Sequence, residues 1–192
     1  RAYFGASVDG LAVHYLEQPD PLGTGHALAL ASKLDGGAPE EPWLIWLADT
    51  YVSGAQFQRL AAHRASTVLT LAPAHEGENP TVRVDVEEDR VVRAFQGTSD
   101  RYDAGAWKMS QQVMAGMTNV AANGEIRMLP NLQRMINAGL DVGWVDGGEW
   151  LHLGGTAPTP EANVARVEAR IRALHDLPPV TVPTHEPLEV TP

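Results

Sequence analysis

The chain has 192 residues, of which 44% are hydrophobic, a formal net charge of −10 at pH 7, and no cysteine. This length and apolar content suffice for one domain with a hydrophobic core. The lack of cysteine excludes disulfides and thiolate metal sites. The acidic balance argues against nucleic acid as a partner, because a phosphate backbone requires a basic surface. No apolar run approaches the ~20 residues of a membrane helix, so we expect a cytoplasmic protein without a membrane partner.

The first part of the chain predicts a strand, a turn and a helix. Residues 13–17 alternate weakly between apolar and polar side chains, as a short strand does. A turn containing prolines follows, and Thr24 is the predicted N-cap of the next helix, with an N-terminus that could face phosphate. The apolar residues of this helix recur at a spacing of three or four and predict one buried face: Ala27, Leu30, Ala31 and Leu34.

A second strand is predicted at residues 43–48, and it ends at Asp49. Its continuous apolar run is typical of a central parallel strand that is covered on both faces. An acid at the carboxyl end of such a strand lies where open α/β sheets bind ligands. The usual structural role of this Asp is to cap the next helix, but Ser53 and Gln56 form a better capping box. We therefore predict that Asp49 binds a metal ion.

Three segments carry a family resemblance. Residues 18–29, Q-P-D-P-L-G-T-G-H-A-L-A, resemble the signature of the sugar-phosphate nucleotidylyltransferases, the enzymes that make nucleotide-sugars. Residues 47–50, L-A-D-T, are similar to the strand-terminal metal-binding aspartate of that family. Residues 136–167 resemble the closing pattern G-x-x-V … W-x-D-x-G-T-P-E. The likeness runs from about residue 10 to residue 167 and is weak over 74–112.

The resemblance implies an α/β fold, with a doubly wound, mostly parallel sheet and an antiparallel hairpin region. Alternating valines place the hairpin at residues 81–87 and 91–95. We expect a nucleotidyltransferase-like domain over residues 1–176 and a proline-rich tail over 177–192. The family's N-terminal G-x-G-T-R loop has no counterpart, so we expect the chain to be a fragment that joins the family pattern part-way along, rather than a protein that has lost the loop.

The resemblance assigns the nucleotide to the turn before the first helix. Gln18 then contacts the base, since its amide can both donate and accept hydrogen bonds. Gly23 would let the backbone approach the nucleotide closely, and Thr24 lies beside it. The alternative for Gln18 is a solvated turn residue, and the alternative for Gly23 is an ordinary turn glycine.

The resemblance also assigns the metal and the sugar. Asp49 is the metal ligand, and His152 stands where the family has its second metal-binding aspartate. Residues 112–120 are similar to the family's N-A-G-I-Y-V-F strand, which would place Gly116 beside the sugar. The family's Glu-Lys pair, which holds the sugar and its phosphate, is absent. Lys108 is the candidate to replace its lysine, with a solvated surface lysine as the alternative.

The function implied by the resemblance is nucleotidyl transfer. A nucleoside triphosphate and a sugar 1-phosphate would react with Mg²⁺, or alternatively Mn²⁺, to give a nucleotide-sugar and pyrophosphate. The alternative is an inactive nucleotide-sugar-binding or regulatory homologue, which the missing loop, the missing Glu-Lys pair and His152 favour. A metal-dependent glycosyltransferase ranks last, because residues 47–50 offer one acid instead of an Asp-x-Asp motif. The oligomeric state stays open, with a homo-oligomer among the alternatives.

Overall fold

A six-stranded sheet is the centre of the first of two units, Arg1–Trp150 and Leu151–Pro192. The computed structural model describes residues 5–34, 41–73, 82–148, 151–152 and 160–176. The strands of the first unit are β1 (Ser7–Val8), β2 (Leu11–Ala12), β3 (Pro42–Trp46), β4 (Thr50–Tyr51), β5 (Val68–Pro73), β6 (Asp85–Glu87), β7 (Arg90–Arg93), β8 (Arg101–Ser110) and β9 (Gly143–Asp146). Its helices are α1 (Thr24–Ala31), α2 (Gly54–Ala62), α3 (Gln111–Ala115) and α4 (Met128–Asn137).

The sheet has the order β3-β8-β5-β9-β7-β6 and is mixed. Strands β5 and β9 pair in parallel, whereas β8 runs antiparallel to both β3 and β5. Strands β6 and β7 form the predicted antiparallel hairpin, and β7 joins β9 antiparallel. The predicted α/β class is therefore confirmed. The sheet is less parallel than expected because β8 returns between two strands that point the same way.

Helices cover both faces of this sheet, as a doubly wound fold requires. Helices α1, α3 and α4 pack on one face through the main core, which includes Leu28, Met114 and Leu132. Helix α2 packs on the other face, where its Leu60 forms a smaller core cluster with Val68 and Ala106. The predicted capping box starts α2: the Ser53 hydroxyl accepts from the Gln56 amide at 3.3 Å, and the Gln56 side chain accepts from the Ser53 amide.

Three predicted elements are wrong. Residues 13–17 form no strand: Val13 N donates to Ala6 O at 2.9 Å beside the β1–β2 hairpin, and the next residues are irregular and exposed. The apolar run 43–48 gives β3, which is an edge strand of the sheet and not a central one, and Trp46 is 56% exposed. Residues 112–120 form most of helix α3 and a loop instead of a strand.

The second unit contains strand β10 (Leu151–His152) and helix α5 (Pro160–His175), which contacts β10. The helix begins at Pro160, and Arg172 pairs with Glu168 one turn earlier at 3.0 Å. The predicted tail at 177–192 and the residues between β10 and α5 lie outside the described residues. In the described part of the chain, no helix combines the length and apolarity that a membrane crossing requires.

Candidate functional site

A cavity of about 210 Å³ lies in the first unit, where β3 ends and β8 begins. It is smaller than most small-molecule pockets, and most of its lining residues are apolar. Residues from distant parts of the chain line it, among them Thr24, Leu47, Phe95, Asp103, Trp107 and Arg127. The cavity therefore joins the signature segment, through Thr24, to the L-A-D-T segment, through Leu47.

Asp103 is the polar centre of this cavity. Its Oδ1 accepts from Trp107 Nε1 at 2.6 Å and from the Gly105 amide at 3.2 Å. Burial raises the pKa of Asp103 from 3.8 to about 6, although both hydrogen bonds act in the opposite direction. No described residue donates to Oδ2, the second carboxyl oxygen. A carboxyl group held in a cavity with a strongly shifted pKa is a candidate for a functional residue.

A bulge next to Asp103 connects β8 to the turn that carries Asp49. Between the Trp107 and Asp103 pairings, three residues of β8 face one residue of β5, and Gly105 within the bulge has a φ of +75°. Gly105 O accepts from Leu47 N at 2.8 Å. A Cβ on Gly105 would lie 3.1 Å from the Leu47 side chain, so glycine permits the close approach.

Asp49 lies on an exposed turn at this edge of the sheet. The turn is closed by Thr50, whose amide and hydroxyl donate to Leu47 O at 3.1 and 2.7 Å. Because Leu47 is also bonded to Gly105, the turn that carries Asp49 has a fixed position beside the bulge. Asp146 ends β9 at the same edge, in register with Leu71, which in turn pairs with Asp103.

The described residues fit a magnesium ion only in part. They contain no group of three His, Cys, Asp or Glu side chains that could hold a metal ion. Mg²⁺ commonly uses one or two protein carboxylates together with substrate phosphates and water, so the single carboxylate of Asp49 meets the smaller requirement. His152 belongs to the second unit, and its side chain is outside the described residues.

The glycines of the signature segment are explained by contacts within the chain. Gly23 is the N-cap of α1 with a φ of 96°, and a Cβ there would lie 2.9 Å from Ile126 O. The same carbonyl accepts from the Gly25 amide at 2.8 Å and from the His26 amide at 3.3 Å. These two amides of the α1 N-terminus are therefore bonded to the protein. Thr24 is the first helical residue and not the N-cap that we predicted.

Lys108 has a structural role on the opposite face of the sheet. It is only 7% exposed, and its Nζ donates to Ala61 O at 3.1 Å and to His63 O at 2.7 Å. These carbonyls lie at the C-terminal end of helix α2, where the last C=O groups have no N–H donor within the helix. The alternative of a solvated surface lysine is therefore wrong, and the ammonium group of the predicted sugar-phosphate ligand is already bonded to two carbonyls.

Gly116 also lies away from the cavity. It caps the C-terminus of helix α3, and Gly116 O accepts from Arg134 Nη2 at 2.8 Å. The expected strand is not found at 112–120, but residues 103–109 of β8, D-A-G-A-W-K-M, carry another Ala-Gly pair on a strand. That pair is the sequence signal that points to Asp103 and Gly105 as candidate site residues.

A larger depression of about 530 Å³ lies elsewhere in the first unit, between the β6–β7 hairpin and the end of α4. Its charged residues are Glu87, Glu88, Arg90 and Asp141, and Arg90 pairs with Asp141 at 2.7 Å. No predicted site residue lines it. Thr24 of the signature segment and Asp103 instead line the smaller cavity near the carboxyl end of β3, which is the candidate site.

The fold is that of the sugar-phosphate nucleotidyltransferases, which confirms the predicted resemblance at the level of the fold. The inositol-1-phosphate CTP transferase from T. maritima matches with a TM-score of 0.62 and 17% identity, over 79% of this chain and 63% of that one. A UDP-glucose pyrophosphorylase complexed with UDP-glucose matches with a TM-score of 0.61 and 17% identity, over 82% and 66%. A protein from Bacillus anthracis, assigned as a glucose-1-phosphate thymidylyltransferase and in complex with a sucrose, matches with a TM-score of 0.63 and 16% identity, over 85% and 66%.

The chain thus spans slightly less than two thirds of the length of these structures. No protein-family model matches the sequence, and no curated protein sequence matches it.

Proposed function

We propose that this chain serves nucleotidyl transfer from a nucleoside triphosphate to a sugar 1-phosphate, with release of pyrophosphate. The observation that carries the proposal is a convergence within a fold shared with such enzymes. Thr24 of the signature segment and Asp103 line one cavity, and the turn that holds Asp49 is bonded to the strand of Asp103 beside that cavity. Each of the three comes from a different part of the chain.

Asp49 is the proposed ligand of a divalent cation, Mg²⁺ or Mn²⁺. In the reaction a phosphate oxygen of the sugar 1-phosphate attacks the α-phosphorus of the nucleotide, so two anions must meet. A bound cation offsets that repulsion and polarises the α-phosphate. Asp49 is suited to this role because its turn is exposed while Leu47 and Thr50 fix the backbone.

Asp103 and Gly105 are the proposed sugar-side residues, in place of Gly116 and Lys108. One oxygen of Asp103 is held by Trp107 and Gly105, which leaves the other to accept from a hydroxyl group in the cavity. Charge-assisted hydrogen bonds of this kind are among the stronger ones. Gln18 remains the proposed contact for the base. Its side chain donates to Gly23 O, one residue before Thr24.

A pyrophosphate-release assay tests the proposal. The purified protein is incubated with Mg²⁺, each nucleoside triphosphate and a panel of sugar 1-phosphates. We expect release with at least one pair and its loss in Asp49→Asn. Asp89→Asn is the matched control, because Asp89 lies on the hairpin turn and pairs with Arg64 away from the cavity. Equal turnover in wild type and Asp49→Asn would contradict the metal assignment.

The second candidate function is binding of a nucleotide-sugar without turnover. Two observations favour it: Lys108 is bonded to backbone carbonyls, and the described residues contain no cluster of three metal ligands. Calorimetric titration with nucleotide-sugars separates the two functions. Binding without pyrophosphate release in any condition would favour the regulatory function over the enzyme.

A further inference from the structure

The side chain of Gln18 makes two internal hydrogen bonds through the same nitrogen. Its Nε2 donates to Gly23 O at 3.2 Å and lies 3.0 Å from His26 Nδ1. All three residues belong to the signature segment, and Gln18 and His26 are partly buried. The pair spans the turn and the first turn of α1, so His26 holds the glutamine from the helix side.

The backbone carbonyl shows which atom of the Gln18 amide is the nitrogen. Gly23 O can only accept, so the Gln18 atom that faces it must be the NH₂ nitrogen and not the oxygen. The second hydrogen of that nitrogen then points to His26 Nδ1, which must carry a lone pair. A hydrogen bond in this contact requires the Nε2–H tautomer of His26.

This arrangement leaves Gln18 with a single kind of polar atom. An amide side chain normally offers both donors and an acceptor. Here both hydrogens are used within the protein, and no described residue donates to Oε1. The remaining group is a fixed hydrogen-bond acceptor.

We propose that His26 is a positioning residue that fixes Gln18 as a hydrogen-bond acceptor towards the nucleobase. The subsite then takes a base edge that presents an N–H donor and rejects an edge that presents only an acceptor there. This inference rests on the proposed function, in which Gln18 contacts the base. It adds His26 as the residue that restricts the Gln18 amide to accepting, and it adds an N–H donor as the feature that the base must supply.

Two substitutions separate this role from simple packing. His26→Phe keeps a planar ring but removes the acceptor at Nδ1, so the Gln18 amide is held by Gly23 O alone and less firmly. His26→Asn places a carboxamide oxygen near the position of Nδ1 and should keep the amide in place. The loss of one neutral hydrogen bond to the base corresponds to a roughly five- to tenfold weaker affinity.

The test combines calorimetry with NMR of the imidazole nitrogens. UTP, dTTP, CTP, ATP and GTP are titrated into wild type, Gln18→Ala, His26→Phe and His26→Asn. We expect His26→Phe to bind the preferred nucleotide roughly five- to tenfold more weakly and to discriminate less among the five, and His26→Asn to restore both. In the free wild-type protein, the nitrogen shifts should show Nδ1 without a proton.

Failure of the inference and failure of the proposed function give different results. Loss of affinity in Gln18→Ala with unchanged affinity and discrimination in His26→Phe would overturn the inference and leave the function standing. A proton on Nδ1 in the free protein would overturn it as well. If wild type binds none of the five nucleotides, the proposed function fails and the inference fails with it.

Discussion

Replacing Asp103 by asparagine should stabilise the protein at neutral pH. The asparagine oxygen can still accept from Trp107 Nε1 and the Gly105 amide, which lie 2.6 and 3.2 Å from the present carboxyl oxygen. The substitution removes the charge at nearly constant shape. Since burial is the largest cause of the raised pKa, the negative form of Asp103 is the form that the fold disfavours.

The magnitude follows from the pKa of the folded protein. It is raised from 3.8 to about 6, and one pKa unit corresponds to about 1.36 kcal/mol. The cost of the charge is therefore about 3 kcal/mol well above pH 6, and this is an upper limit because part of the side chain reaches the cavity. Because the pKa is raised, the contribution of the protonated Asp103 carboxyl to the free energy of unfolding is fully present below about pH 4. This contribution is lost as the pH rises through about 6.

Urea unfolding from about pH 4 to about pH 8 measures this dependence. The difference in the free energy of unfolding between Asp103→Asn and wild type should be near zero at the acidic end and grow to its maximum above pH 6. Asp100→Asn is the control, because it removes the same charge from an exposed loop residue just before β8. A difference that is independent of pH, or the same for both variants, would refute the reasoning.

Two further substitutions test contacts within the chain, one at the predicted sugar ligand Lys108 and one at Gly25 in the signature segment. Lys108→Met should lower the free energy of unfolding by roughly 2 to 4 kcal/mol, because two helix-end carbonyls lose their donor, with nucleotide affinity unchanged in calorimetry. If the free energy of unfolding is unchanged but sugar 1-phosphate binding is lost, Lys108 is a substrate-binding residue and not a structural one. Gly25→Ala should lower the melting temperature, because its Cβ would lie 2.8 Å from Ile126 O. Gly54→Ala, which meets nothing within 4 Å, should leave it unchanged or raise it slightly.

Local signals in the sequence were sufficient to predict those elements whose structure is determined by residues close together in the chain. Ser53 and Gln56 form the predicted capping box because both partners lie within one helical turn. The alternating valines predicted the hairpin because its two strands follow each other directly. The signature segment predicted the fold that the structural neighbours share. These features need no information about distant parts of the chain.

Position within the sheet could not be predicted from the strands themselves. The apolar run of β3 indicated a strand covered on both faces, yet Leu44 and Trp46 are 42% and 56% exposed at the sheet edge. Composition reports that a segment is apolar and not which neighbours pair with it. Ala-Gly pairs occur at residues 104–105, 115–116 and 138–139, and only the first of them lies on a strand of the sheet, β8.

Strand β8 also explains why two charged residues only five positions apart have different roles. Lys108 points to the α2 face, where two carbonyls bond its ammonium group, and nothing in its geometry calls for a ligand. Asp103 lies across the bulge on the cavity side, with one oxygen held by the protein and the other without a donor among the described residues. Keeping this carboxyl ionised costs stability, whereas the contacts of Lys108 contribute it. The open oxygen of Asp103, beside the turn of Asp49, is therefore the stronger indication of where a substrate binds.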